Sequence, residues 1–120
     1  MVACIMEEEK ECLFCAIASG DVKADVVYRD SDTVAFRDLD PKAPDHVLII
    51  PLKHISSLGD TTDEDTPLMG KLINTARKVA EKLSLESYRL VINNGADAGQ
   101  SVFHLHAHLL GGRLFGWPPG

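Results

Sequence analysis

Long hydrophobic runs are missing from this 120-residue sequence. No stretch approaches the ~20 apolar residues that cross a bilayer, so no ordinary membrane-spanning helix is expected. The opening residues also lack the basic-then-apolar order of a secretory signal, because the acidic MEEEKE follows at once. A cytoplasmic protein is expected, with the nucleus a second location if the source is eukaryotic. Cysteine is scarce: three residues, an odd number, do not make the disulfide framework of a small secreted domain. Positive charge is short as well, with 12 Lys and Arg against 18 Asp and Glu and a formal net charge of −6. Affinity for polymeric nucleic acid comes from neutralising many phosphates, so that partner class is disfavoured. A single phosphate group is still open, because backbone amides and a few local cations can hold one on an acidic protein.

What is present fits one soluble domain, with 45% hydrophobic and 25% charged residues. Residues 1–11 read as a flexible acidic tail and residues 12–120 as a single domain. LFCAIASG suits a short helix ended by Gly20. DVVYRD and TVAFRDL alternate β-branched and aromatic residues around a polar turn, the pattern of an antiparallel hairpin. HVLIIPL reads as a buried strand, and YRLVINN as another. Between them a helix is expected from about Asp63 to Ser84, with Leu68, Leu72, Ala76, Val79 and Leu83 on one face. The histidine-bearing stretch FHLHAHLLGG is the last strand, and no repeat or low-complexity segment interrupts the series. Five strands, one long helix and one short helix predict an α+β domain with a five-stranded antiparallel sheet.

That last stretch holds three of the five histidines at alternate positions: His104, His106 and His108. On a strand they would share one face, with Leu105, Ala107 and Leu109 on the other. A single metal held by all three is opposed by geometry, since the outer two α-carbons of a regular strand would lie ~13 Å apart. Zinc needs each ligand nitrogen within about 2.1 Å. The histidines are therefore expected to divide the work. A neutral imidazole can attack phosphorus, provided its other nitrogen carries the proton and gives it to a fixed acceptor. A second histidine can hydrogen-bond phosphate oxygens. The preceding loop NNGADAGQS, residues 93–101, supplies glycines, amides and a serine able to face an anion.

QSVFHLHAHLL resembles the signature of the histidine triad (HIT) family, in which three histidines alternate with apolar residues. AFRDLDPKAPDHVLIIPLKHI, VINNGADAGQSVFHLHAHLLGGR and the terminal WPPG resemble its Hint branch, the purine nucleoside phosphoramidases. The similarity runs over nearly everything after Glu11. It implies that His106 is the nucleophile, that the His104 carbonyl holds the Nδ1 proton of His106, and that His108 binds the α-phosphate. Asn93, Gln100 and Ser101 would add polar contacts to the phosphate, and Ser101 would also meet the leaving group. His46 matches a fourth histidine that supports the network. Asp38 matches the carboxylate that takes both ribose hydroxyls. Leu13, Phe14, Ile17, Val22, Phe36 and Leu39 match the apolar pocket for the base.

The resemblance implies hydrolysis of the P–N bond in nucleoside 5′-phosphoramidates of AMP or GMP with an amine or lysine. It runs through a covalent nucleotidyl-histidine and requires no cofactor. Alternatives of related chemistry are an aminoacyl-adenylate or dinucleoside polyphosphate hydrolase. An alternative of another class is a nucleotide-binding scaffold. Family members are commonly homodimers with a ten-stranded sheet, and Trp117-Pro118-Pro119 would reach toward the partner's site.

Cys12 and Cys15 raise a separate question. Their spacing alone suits zinc, a redox pair or two structural thiols, although no strand precedes them as a thioredoxin-like pair requires. Some histidine triad proteins bind zinc through two such cysteines, the histidine of PLKHI and the first histidine of the triad. The match implies a closed structural site of Cys12, Cys15, His54 and His104.

Overall fold

A computed structural model of the chain describes residues 12–120. The acidic tail expected over residues 1–11, with Cys4, lies outside the described residues. Helix α1 spans Leu13–Ser19. Cys12 caps it by accepting the Cys15 N–H at its sulfur, and Gly20 ends it at φ 87°, a left-handed conformation that glycine adopts without strain. Strands β1 (Val26–Arg29) and β2 (Thr33–Arg37) form the expected hairpin, with Asp30 Oδ1 accepting from the N–H groups of Asp32 and Thr33 in the turn. Strand β3 (Asp45–Pro51) follows, then helix α2 (Thr66–Lys82), strand β4 (Tyr88–Val91) and strand β5 (Ala107–Gly111). All pairings are antiparallel, and the sheet order is β1-β2-β3-β5-β4.

Period-two alternation along the central strand sorts its residues between two layers. Val47 and Ile49 face α2, where they meet Leu72, Ala76 and Val79 together with Ala35, Ala107 and Leu109. Leu48 and Ile50 take the opposite face, with Val34 and Phe36 of β2 and with Phe14 and Ile17 of α1. His108 pairs with Leu48 across the β3–β5 ladder, and His46 pairs with Leu110. Both histidines therefore belong to the α1 face, where, among the described residues, the sheet carries a short helix and leaves room for a ligand.

Three expected boundaries shift. The long helix opens with a 3-10 turn at Asp63–Asp65 and ends at Lys82, because Ser84 takes φ 58° and turns the chain away. Strand β4 stops at Val91 and strand β5 begins only at Ala107, so His104 and His106 precede the strand rather than lie in it. The β3–β5 ladder runs out at Ile49 opposite Ala107. Upstream of it, the Leu105 N–H turns to the Ile55 carbonyl at 2.6 Å instead. Gly111 and Gly112 fit the strand's exit: a Cβ on Gly111 would stand 2.8 Å from a Leu85 methyl, and Gly112 has φ 91° with Pro44 against it. No described helix is long and apolar enough to cross a membrane.

Candidate active site

The hydrogen bonds around the histidines assign their tautomers. His106 Nδ1 lies 2.8 Å from the His104 carbonyl oxygen. A carbonyl can only accept, so Nδ1 carries the proton and Nε2 keeps a lone pair. His46 is held the other way round: the Lys42 backbone N–H donates to its Nδ1 at 3.0 Å, which puts the His46 proton on Nε2. That proton is donated to His108 Nδ1 at 2.9 Å, with Asp38 Oδ2 3.4 Å from the same nitrogen. His108 consequently carries its own proton on Nε2. An imidazole lone pair and an imidazole N–H stand side by side, the two rings 4.9 Å apart. Phe14 closes on His106 edge-to-face at 5.1 Å and on Phe36 at 5.5 Å.

Asp38, His46 and His108 also place three donor atoms within 4.8 Å of one another. The assigned protons argue against a metal there, because His46 Nε2 is spent on an N–H that neighbouring acceptors use.

His106 and His108 look onto a cavity of about 270 Å³ lined by Leu13, Phe14, Ile17, Val22, Phe36 and Leu39 among its apolar residues, with Asp38 at its side. Leu39 is 98% exposed, so it forms a rim of the pocket rather than part of the core. Leu48 and Val102 also line it, with Lys23, Asp25 and Arg37 near by. Alternation along HVLIIPL, which places Leu48 on the face of His46, was the available signal for Leu48. A second cavity of about 430 Å³ shares Asp38, Ser101 and His108 with the first and adds Asp40, Lys42, His46 and Asn93.

Gln100 lines neither cavity. It is buried, its Oε1 accepts the Gly95 N–H at 2.9 Å, and its Nε2 donates to the carbonyls of Ser56 and Val102 at 2.7 and 3.1 Å. The geometry makes it the clasp of the 95–100 loop and leaves no donor over for a phosphate. Ser101, next to it, is exposed and reaches both cavities.

A separate cluster lies on the far side of His104. His104 Nε2 donates to the Pro51 carbonyl at 2.8 Å, which leaves its Nδ1 lone pair facing sulfur. That Nδ1 is 3.3 Å from Cys12 Sγ, 3.4 Å from Cys15 Sγ and 3.2 Å from His54 Nδ1, and Cys15 Sγ is 3.2 Å from His54 Nδ1. Four ligands at zinc bond lengths would stand roughly 3.3–3.8 Å apart, close to these four separations. The donor set of two thiols and two imidazoles, with no carboxylate among them, is the set that zinc selects. His54 Nε2 is buried without a partner among the described residues, at a cost of about 1–3 kcal/mol. Its Nδ1 is the nitrogen that faces the cluster. The residues present fit the metal.

A HIT domain model matches residues 19–114 of the chain. The chain belongs to the HIT domain family. It is 48% identical to an uncharacterized HIT-like protein of Synechocystis over 92% of this chain and 98% of that protein. Among solved structures, a HIT family hydrolase from Legionella pneumophila superposes with a TM-score of 0.88 at 49% identity, covering 92% of this chain and all of that one. A zinc-bound histidine triad family protein from Mycobacterium smegmatis superposes at 0.74 with 34% identity, covering 88% of this chain and 77% of that one. The five-stranded sheet with its two helices is thus the HIT fold, and the chain has the architecture of HIT family hydrolases.

The site of this HIT domain keeps its imidazoles neutral by burial. Burial, then the neighbouring His106 and His46, holds His108 down at about 4, and burial outweighs Asp38 in lowering His46. Between pH 6.5 and about 4 the unfolded chain binds protons that folded His108 refuses, so its contribution is complete above pH 6.5 and is lost as pH falls through 4. The urea midpoint is expected to fall across that window, and to fall less steeply in His108→Gln. An unchanged slope in the variant would contradict the assignment.

Proposed function

We propose that this HIT domain is a nucleoside phosphoramidase of the Hint type, acting on purine nucleoside 5′-phosphoramidates through a nucleotidyl-His106 intermediate. The observation that carries the reading is the opposed pair of tautomers. His106 offers a lone pair at Nε2 because the His104 carbonyl holds its other proton. His108 offers an N–H beside it because Lys42 and His46 set its proton on the outer nitrogen. A nucleophile thus stands next to a donor for the phosphate oxygens, at the edge of an apolar cavity wide enough for a base.

In this reading the base lies between Phe14, Ile17 and Phe36, and the Asp38 carboxylate accepts from the ribose hydroxyls. His106 Nε2 forms a bond to the α-phosphorus as the P–N bond breaks. The leaving nitrogen takes a proton and departs as the amine, since an unprotonated amide anion is a poor leaving group. Ser101, which lines both cavities, would relay that proton from solvent. Water then attacks the phosphorus, releasing the nucleoside monophosphate and a proton and restoring neutral His106. Asn93 would contribute a polar contact on the leaving-group side, and Gln100 would act only by shaping the loop.

Cys12, Cys15, His54 and His104 would hold a zinc ion. With four protein ligands and no open position, the metal would supply structure rather than catalysis. The chain would act as a homodimer, supported by the outer edge of β4, which has no strand beside it among the described residues, and by exposed Tyr88 and Ile73. The test is a comparison of kcat/KM for an adenosine phosphoramidate of a simple amine, an aminoacyl-adenylate and a diadenosine polyphosphate. Preference for the phosphoramidate by at least about tenfold is expected, equivalent to about 1.4 kcal/mol in the transition state. Preference for either alternative would replace the reading. No turnover of any would favour a scaffold.

A further inference from the structure

The second cavity adjoins the apolar one, because His108, Asp38 and Ser101 border both spaces, and so it lies beside the position proposed for the phosphate. With the nucleoside in the apolar cavity, the remaining substituent on phosphorus would extend into this one. Its distinguishing residues are Asp40 and Lys42. Their placement is built in: the Asp40 N–H donates to Asp38 Oδ1 at 2.8 Å, and the Lys42 N–H is spent on His46. The Lys42 ammonium lies 2.6 Å from Asp40 Oδ2, so its charge is matched within the loop.

The other charges near by are accounted for. Arg113 points its guanidinium at the Lys42 and Leu114 carbonyls and stacks on Phe115, and it does not line the cavity. Arg37 is turned to Asp45 and Asp25. His46 and His108 are neutral near pH 7. The lining therefore holds two carboxylates against one ammonium.

Resting on the phosphoramidase reading, we propose that Asp40 is a specificity-determining residue that selects the charge of the leaving group. It favours an amine bearing a second positive charge and disfavours leaving groups that carry carboxylate or phosphate. Asp40 does not touch the reacting phosphorus. It acts on the far end of the leaving group, where water is present, so its effect is modest and salt-dependent.

The experiment uses three adenosine 5′-phosphoramidates of similar size: one of butylamine, one of 1,3-diaminopropane and one of β-alanine. The readout is the ratio of kcat/KM for the cationic over the anionic compound in the wild-type protein, Asp40→Asn, Asp40→Lys and Lys42→Gln. The ratio is expected to exceed one in the wild type and to fall about fivefold in Asp40→Asn. It should invert in Asp40→Lys, rise in Lys42→Gln, and shrink toward one in high salt. Equal ratios in the wild type and both Asp40 variants would overturn the proposal, as would a wild-type preference for the anionic compound. Failure of the wild type to hydrolyse the butylamine compound would overturn the phosphoramidase reading itself, and this inference with it.

Discussion

Replacing His106 by alanine is expected to lower kcat for an adenosine phosphoramidate by about four orders of magnitude or more, the scale of losing a nucleophile outright. KM and AMP affinity should move by no more than a few-fold. The separation follows from the layout. The cavity proposed for the base and ribose is bounded by Phe14, Ile17, Phe36 and Asp38, none of which the substitution removes. His106 itself is a buried ring against Phe14, so alanine leaves a gap and lowers stability somewhat. His106→Asn, which retains a side chain near the His104 carbonyl, is the control for that loss. If it too loses turnover while keeping AMP affinity, the missing group is the nucleophilic nitrogen. His108→Ala should retain more activity, because it removes a hydrogen-bond donor to the phosphate and not the bond-forming atom. Equal and small losses in the His106 and His108 variants would contradict the division of roles.

The second large effect is expected at the cysteines. Purified protein should contain one zinc per chain, and Cys15→Ser should reduce this to near zero. Metal that binds only the folded state stabilises it by several kcal/mol once its concentration exceeds the dissociation constant about a thousandfold. A Tm loss of roughly 10 °C or more follows for a domain of this size, in the variant or after chelation. The functional consequence should be uneven. Cys12 caps α1, and the same helix carries Phe14 and Ile17 into the wall of the apolar cavity. Loosening it should raise KM for the nucleotide. His104, in contrast, serves His106 through its backbone carbonyl, so kcat should fall less than KM rises. Zinc-free protein with unchanged Tm and unchanged KM would contradict both the structural metal and its connection to the pocket.

Much of this arrangement was legible in the residues. Alternating β-branched and aromatic residues in TVAFR placed β2, the continuous apolar run HVLIIP placed β3, and the helical spacing from Leu68 to Val79 placed α2 on one face of them. The pattern of three alternating histidines pointed to one site, and its similarity to the HIT signature named the family. What alternation cannot report is where a ladder stops. His104 and His106 keep the period of a strand, yet they lie outside it, because the β3–β5 ladder ends at Ile49 opposite Ala107 and the Leu105 N–H bonds to the Ile55 carbonyl instead. The tautomer of His108 was equally out of reach. It depends on the backbone N–H of Lys42, and a main-chain group leaves no mark in a side-chain pattern. Gln100 shows the same limit from the other side. The family resemblance implied a phosphate contact for it, whereas its amide is consumed by three backbone groups that only the folded loop brings to it.

The covalent step is tested most directly by intact-mass spectrometry of protein quenched within milliseconds of mixing with an adenosine phosphoramidate, read alongside His106→Ala. A transient mass increase of one adenylyl group, mapped to His106 and absent from the variant, is the predicted result. An adduct that maps to another residue, or that forms equally in His106→Ala, would contradict the account.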